Sequence, residues 1–197
     1  MLKLFSRAAR RCDLPVAYSA GFNPHPLFVF GMPLPVGTTS ESEYVDITME
    51  EALPCEEIIN RLNGTMPEGV HILQAAVLPE KSPSIMKDVA ASAYRVTVPL
   101  FQFADGKAAV RKILSVGEAE TPLPVMKHTK SGTRETDVRS MLFHISLLRE
   151  TEETAAFYIV TAAGNEATLR PDLALQALWG DVVQVTGIHR LQMLTKE

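Results

Sequence analysis

Apolar residues Leu2, Phe5, Ala9 and Cys12 recur at helical spacing, while Lys3, Arg7 and Arg10 mark another face. The pattern predicts an amphipathic helix over residues 2–12 with a basic side. Residues 27–32 and 44–49 read as strands joined by a turn region over 33–40. Cys55, Ile58, Ile59 and Leu62 form a helical stripe behind Pro54, and Gly64 supplies its stop. Residues 70–78 read as another strand, and Ser82-Pro83 as the entry of a short helix. The second half opens with alternation at Tyr94, Val96 and Val98, a strand over 93–100, followed by a helix over 108–115 with Asp105 near its start. Residues 123–129 and 133–138 flank Lys130-Ser131-Gly132 as a hairpin. Residues 141–149 and 156–162 are two further strands. Pro171 and Gly180 bound a helix over 171–179, and a strand over 182–194 follows.

This order of elements predicts an α+β protein of two ferredoxin-like subdomains in tandem, residues 1–92 and 93–197, with a boundary near Ser92. The first lacks the opening strand of the βαββαβ unit; the second carries extra hairpin strands. Because the opening strand is central in that unit, its neighbours would lack a ladder partner. A start codon further upstream is the favoured source of the missing strand, with the second half or a second chain as alternatives.

Composition narrows the function. At 46% hydrophobic and 21% charged, the 197 residues can bury a core. A net charge of −4 argues against a broadly cationic nucleic-acid coat. Cys12 and Cys55 form no CxxC, so they build no zinc ribbon, iron–sulfur site or disulfide framework. No apolar run suits a membrane span, and the chain reads as a cytoplasmic protein. The charge is unevenly placed. Lys3, Arg7, Arg10 and Arg11 open the chain without an acid, whereas residues 41–68 carry eight acids against Arg61 alone. Between them, residues 14–40 hold no charge but five prolines and three glycines, which favour turns and extended backbone.

Inside that uncharged run, Tyr18-Ser19-Ala20-Gly21-Phe22-Asn23-Pro24-His25-Pro26 is the strongest local signal. Two prolines restrict the backbone around His25, Gly21 permits positive φ, and Asn23 can close an Asx turn. Aromatic rings stack on bases while His and Asn read polar edges, so Tyr18, Ser19, Phe22, Asn23 and His25 are candidate binding residues for RNA. The alternative is a rigid loop whose aromatics fill the core. Arg7, Arg10 and Arg11 precede the loop and could hold phosphates, unless they are simply a solvated helix face. Arg170 could face a ligand or merely cap a helix. His25 is the candidate general acid or base, although the uncharged run supplies no carboxylate partner. His71, His128, His144 and His189 fall in predicted strands, and no metal site is expected. Gly106-Lys107 fails as a phosphate loop because the required earlier glycine falls on Phe101.

Residues Arg10-Arg11-Cys12-Asp13-Leu14-Pro15-Val16-Ala17 leading into the Tyr18–Pro26 stretch, followed by Pro33-Leu34-Pro35-Val36-Gly37 and Glu41-Ser42-Glu43-Tyr44-Val45-Asp46, resemble a radical SAM-associated bacterial domain of unknown function. The resemblance continues at Glu135-Thr136-Asp137-Val138-Arg139 and Thr168-Leu169-Arg170-Pro171-Asp172. It departs at the start, where the family's opening strand and Ser-His-Leu-Asp segment are absent. That family occurs alone or fused behind a radical SAM protein. The resemblance therefore implies a radical SAM partner and a non-catalytic, substrate-handling role in tRNA or rRNA modification. S-adenosylmethionine and an iron–sulfur cluster would belong to the partner, since the cluster needs three grouped cysteines. Two rivals are an RNA-processing enzyme using His25, and a protein–protein adaptor working through the acidic 41–68 stretch.

Overall fold

Residues 1–129 and 132–196 are described by a computed structural model. The turn expected at Lys130-Ser131 lies outside the described residues. The protein is α+β, and Cα packing divides it into two compact units: Met1–Phe30 with Val45–Ile85, and Gly31–Tyr44 with Met86–Glu197.

In the first unit, α1 (Leu2–Arg11) buries Phe5, Ala8 and Ala9, the apolar stripe read from the sequence. Phe5 meets Phe28 and Phe30 edge-on, with ring centroids 6.0 and 5.3 Å apart. Those two rings stand on β1 (Phe28–Phe30), which pairs antiparallel with β3 (Val45–Ile47). The helix α2 (Cys55–Asn63) contributes Leu62 to a core shared with Ala8, Leu14 and Val16, and the short helix read from Ser82-Pro83 forms just beyond them as α3 (Ile85–Asp88). The strand expected over 70–78 does not form. The Asn63 carboxamide bonds both backbone groups of Ile72, donating to its carbonyl (3.0 Å) and accepting from its N–H (2.7 Å). One side chain thus takes the place of a neighbouring strand at one residue, and Leu73, Val77 and Leu78 remain exposed.

The second unit is built on a five-stranded sheet of order β2-β9-β4-β8-β7. Its members are β2 (Thr38–Ser40), β4 (Val89–Pro99), β7 (Leu142–Glu150), β8 (Thr154–Ala162) and β9 (Gly187–Thr195). With α4 (Gly106–Glu118) and α5 (Pro171–Trp179), the strands β4, β7, β8 and β9 follow in β-α-β-β-α-β succession. The hairpin of β5 (Pro124–Thr129) and β6 (Gly132–Asp137) is inserted between α4 and β7. The central strand β4 is buried along most of its length, and Ser92 is an interior residue of it. Val96, Val98, Phe157 and Ile159 of the sheet pack with Val110 and Ile113 of α4 and Leu175 and Leu178 of α5.

Local chemistry sets the helix ends. Asp105 accepts the Ala108 N–H at 2.9 Å and caps α4. At the other end, Arg139 donates to the carbonyls of Val116 and Gly117, satisfying groups the helix leaves open, and to the Thr121 carbonyl beyond it. Asp137 holds that turn by accepting the N–H groups of Arg139 and Leu123. These two bonds, the Arg139 one first, hold its carboxyl below the ordinary aspartate value of 3.8. Gly117 lets α4 approach β7, for a Cβ there would stand 2.3 Å from Ile145 Cγ2. Pro171 opens α5 and Gly180 closes it at φ +92°, as the sequence predicts.

The one displaced element is β2. The sequence places residues 38–40 in a turn, yet they pair in parallel with β9 at the edge of the second sheet. Side chains explain it. Glu41 accepts from His189 Nε2 (3.2 Å), which leaves Nδ1 to accept the Thr39 hydroxyl (2.7 Å). The next residue, Arg190, is 2% exposed and forks onto Glu43 at 2.7 and 3.0 Å. Arg190 also donates to the Pro33 carbonyl at 3.2 Å and lies over the Tyr94 ring, 5.6 Å from its centroid.

Two outcomes test this account. Arg190→Ala should cost about 3 kcal/mol in urea unfolding, because it strands a partly buried carboxylate. Asp137 has a depressed folded pKa, so its contribution is complete above its unfolded pKa and is lost as pH falls through the folded one. Stability measured against pH should therefore drop in that acid range, and the drop should be smaller in Asp137→Asn.

Candidate functional site

The Tyr18–Pro26 loop rises from a clamped base. Ala17 donates to the Thr48 carbonyl at 2.8 Å, Leu27 donates to Ala17 at 2.9 Å, and Thr48 donates to Leu27 at 3.1 Å. Tyr18 and Pro26 form an isolated antiparallel bridge one step further out. Beyond it the Ser19 N–H donates to the His25 carbonyl at 2.9 Å. The His25 N–H donates back to Ser19 Oγ at 3.1 Å, and the same oxygen lies 2.8 Å from His25 Nδ1. Ser19 and His25 are thereby locked to each other by three contacts. Gly21 turns the tip at φ +126°, a conformation costly for any residue with a Cβ.

What the loop presents is apolar and solvent-facing. Phe22 is fully exposed, at 106% of its reference area, and Tyr18 is 47% exposed. His25 and Asn23 are exposed as well. The reading in which the aromatics fill the core therefore fails for both rings. The Asx turn expected of Asn23 is not formed; its carboxamide has no hydrogen-bond partner among the described residues. Among those residues no carboxylate bonds His25.

The basic helix face divides. Arg7 and Arg10 are exposed, and their side chains make no hydrogen bond or ion pair among the described residues. Arg11 is engaged, donating to the Thr65 carbonyl across a shallow hollow lined by Gly64, Met66 and Pro67. Arg170 belongs to the second unit, where it forks onto Asp172 with contacts of 3.0 and 2.5 Å at the start of α5. Arg170 makes no side-chain cap bond to α5, so the pair is a surface ion pair within the first turn.

The other histidines scatter. His71 lies in the exposed segment after α2, outside any strand, and His128 is in β5. His144 packs against Tyr158 at 5.8 Å between ring centroids. His189 bonds Thr39 and Glu41, a chain that sequence spacing conceals because its members are 150 and 148 residues apart. The Ser19–His25 pair, by contrast, is only six residues apart and flanked by proline, which is a legible signal.

The acidic stretch is not one face. Glu41 and Glu43 belong to the second unit and the rest to the first. Glu41, Glu43, Asp46 and Glu57 already bond His189, Arg190, the Ile85 N–H and Arg61 respectively. A hollow of about 610 Å³ in the second unit, beside Phe101, Lys107 and Glu153, includes none of the candidate residues.

The fold and loop thus define an α+β protein with an aromatic and imidazole loop on its first unit. Residues 1–171 match the family described as uncharacterized protein conserved in bacteria (DUF2344), and the chain belongs to that family. No curated protein matches the chain. No helix among the described residues is long and apolar enough to cross a membrane.

The geometry of the tip gives a direct test. Gly21→Val places a β-branched residue at positive φ, and should lower stability by about 1–2 kcal/mol in thermal or urea unfolding. An unchanged midpoint would mean that the tip is not held in this conformation.

Proposed function

We propose that the protein is a non-catalytic accessory module that binds single-stranded RNA for a radical SAM partner in bacterial tRNA or rRNA modification. The observation that carries this reading is Phe22, a large apolar ring fully exposed on a loop whose base is clamped by backbone hydrogen bonds. Such a ring loses nothing in folding and gains when a base stacks on it. Tyr18 offers a second half-exposed ring, Asn23 a free carboxamide, and His25 an imidazole fixed by Ser19. Arg7 and Arg10, unpaired on α1 of the same unit, supply cations for phosphates. Ser19 belongs to the recognition set as a support for His25. Arg11 and Arg170 contribute less because their guanidinium groups are already engaged. The partner's identity rests on the resemblance of the Tyr18–Pro26 stretch and its flanks to radical SAM-associated domains. S-adenosylmethionine and the cluster would be held by that partner.

Binding is favoured over catalysis because His25 has a hydroxyl neighbour but, among the described residues, no bonded carboxylate to orient it as a base. An adaptor role through residues 41–68 is weakened by the division of those acids between the units.

An anaerobic, low-salt pull-down of the tagged protein should recover a radical SAM protein together with a defined RNA; recovery of neither would sink the proposal. With that RNA, Phe22→Ala should weaken binding about tenfold or more while the unfolding midpoint stays unchanged. Exchanging Arg7 or Arg10 for Gln should lower the slope of log affinity against log salt by about 0.7 each.

A further inference from the structure

We infer that Ser19 holds His25 in the tautomer with its proton on Nε2, so that the loop offers its ligand a hydrogen-bond donor in either charge state of the ring. The inference rests on the RNA-binding reading only for the identity of the ligand. Ser19 Oγ accepts the His25 N–H at 3.1 Å, which uses one lone pair. Its own proton then needs an acceptor, and the one within hydrogen-bond distance among the described residues is His25 Nδ1, at 2.8 Å. With the proton on Nδ1 instead, the serine hydrogen would have no protein partner. The reciprocal Ser19 N–H to His25 carbonyl bond, at 2.9 Å, keeps the two residues in register. Pro24 and Pro26 restrict the backbone on either side.

Nε2 has no protein partner among the described residues, and His25 is exposed. In the neutral ring it carries the proton. In the imidazolium, Nδ1–H donates to Ser19 Oγ, the serine hydrogen turns to solvent, and Nε2 is still a donor. The complementary ligand group is therefore an acceptor without a proton of its own: a base carbonyl, a ring nitrogen or a phosphoryl oxygen. Ser19 is a positioning residue in this scheme, and His25 selects acceptors rather than abstracting protons through Nε2.

Imidazole nitrogen shifts in the isotope-labelled full chain report the tautomer directly. At a pH where the ring is neutral, Nε2 should show the protonated, pyrrole-type shift and Nδ1 the pyridine-type shift; the reverse assignment overturns the inference. Ser19→Ala should move the ring toward a mixture and Ser19→Thr should restore the single tautomer. A second arm uses short oligo(U) and inorganic phosphate as probes. Perturbation of Nε2 by phosphate alone would place the acceptor on the backbone, and perturbation by oligo(U) alone on base or sugar. His25→Gln, whose carboxamide nitrogen can occupy the Nε2 position, should keep oligo(U) affinity within about threefold. His25→Asn, too short to reach that position, should lose about tenfold. Equal losses in both variants would overturn the donor role. Failure of oligo(U) to bind the wild-type chain would count against the RNA reading, while the tautomer measurement would decide the inference independently.

Discussion

The buried guanidinium of Arg190 organises the chain. A charge that is 2% exposed tolerates burial only when paired and hydrogen-bonded, and every partner except Tyr94 comes from the segment Gly31–Tyr44. Glu43 neutralises it and the Pro33 carbonyl accepts a further N–H, so the guanidinium spans both ends of that segment. The three-residue ladder of β2 on β9 would be weak alone. It persists because the flanking side chains of His189 and Arg190 hold the strand from its own register positions. The same segment is the chain's connection between β1 and β3.

Against this scaffold the Tyr18–Pro26 loop follows opposite rules. Its backbone is heavily bonded while its side chains are left to solvent. Rigidity there comes from the Ser19–His25 contacts and two prolines instead of from apolar burial. This separation suits recognition, because a loop ordered before binding does not pay the ordering entropy on encounter. Arg7 and Arg10 leave two exposed cations on α1 of the same unit.

Much of this was legible in the sequence where the controlling residues are close together. The helix α5 falls between Pro171 and Gly180 as read, because proline at entry and glycine at exit act locally. The basic stripe of α1 follows from periodicity, and the β5–β6 pairing from two strands read on either side of Lys130-Ser131-Gly132. Residues 70–78 misled because strand-like alternation says nothing about whether a ladder partner is available; Asn63 supplies one residue's worth. Strand β2 was missed because its cause is a buried arginine about 150 positions away. The loop stood out by its residue types, but the outward set of Phe22 follows from the fold of the loop and not from its composition. Charge counting treated residues 41–68 as one acidic surface, which the pairing of Glu41, Glu43, Asp46 and Glu57 dissolves.

The distance along the chain between Thr39 and His189 also bears on how the protein comes to be folded. Contacts separated by 150 residues close slowly, since the intervening chain must lose its freedom before the contact rewards it. During synthesis, the segment around Thr39 leaves the ribosome long before β9 exists. Until then Glu43 has no guanidinium to receive and β2 has no neighbour. The early chain must therefore be carried for most of translation with an open strand. Until β9 closes that edge, β2 is an unpaired strand, the kind of exposed edge through which partly made chains aggregate.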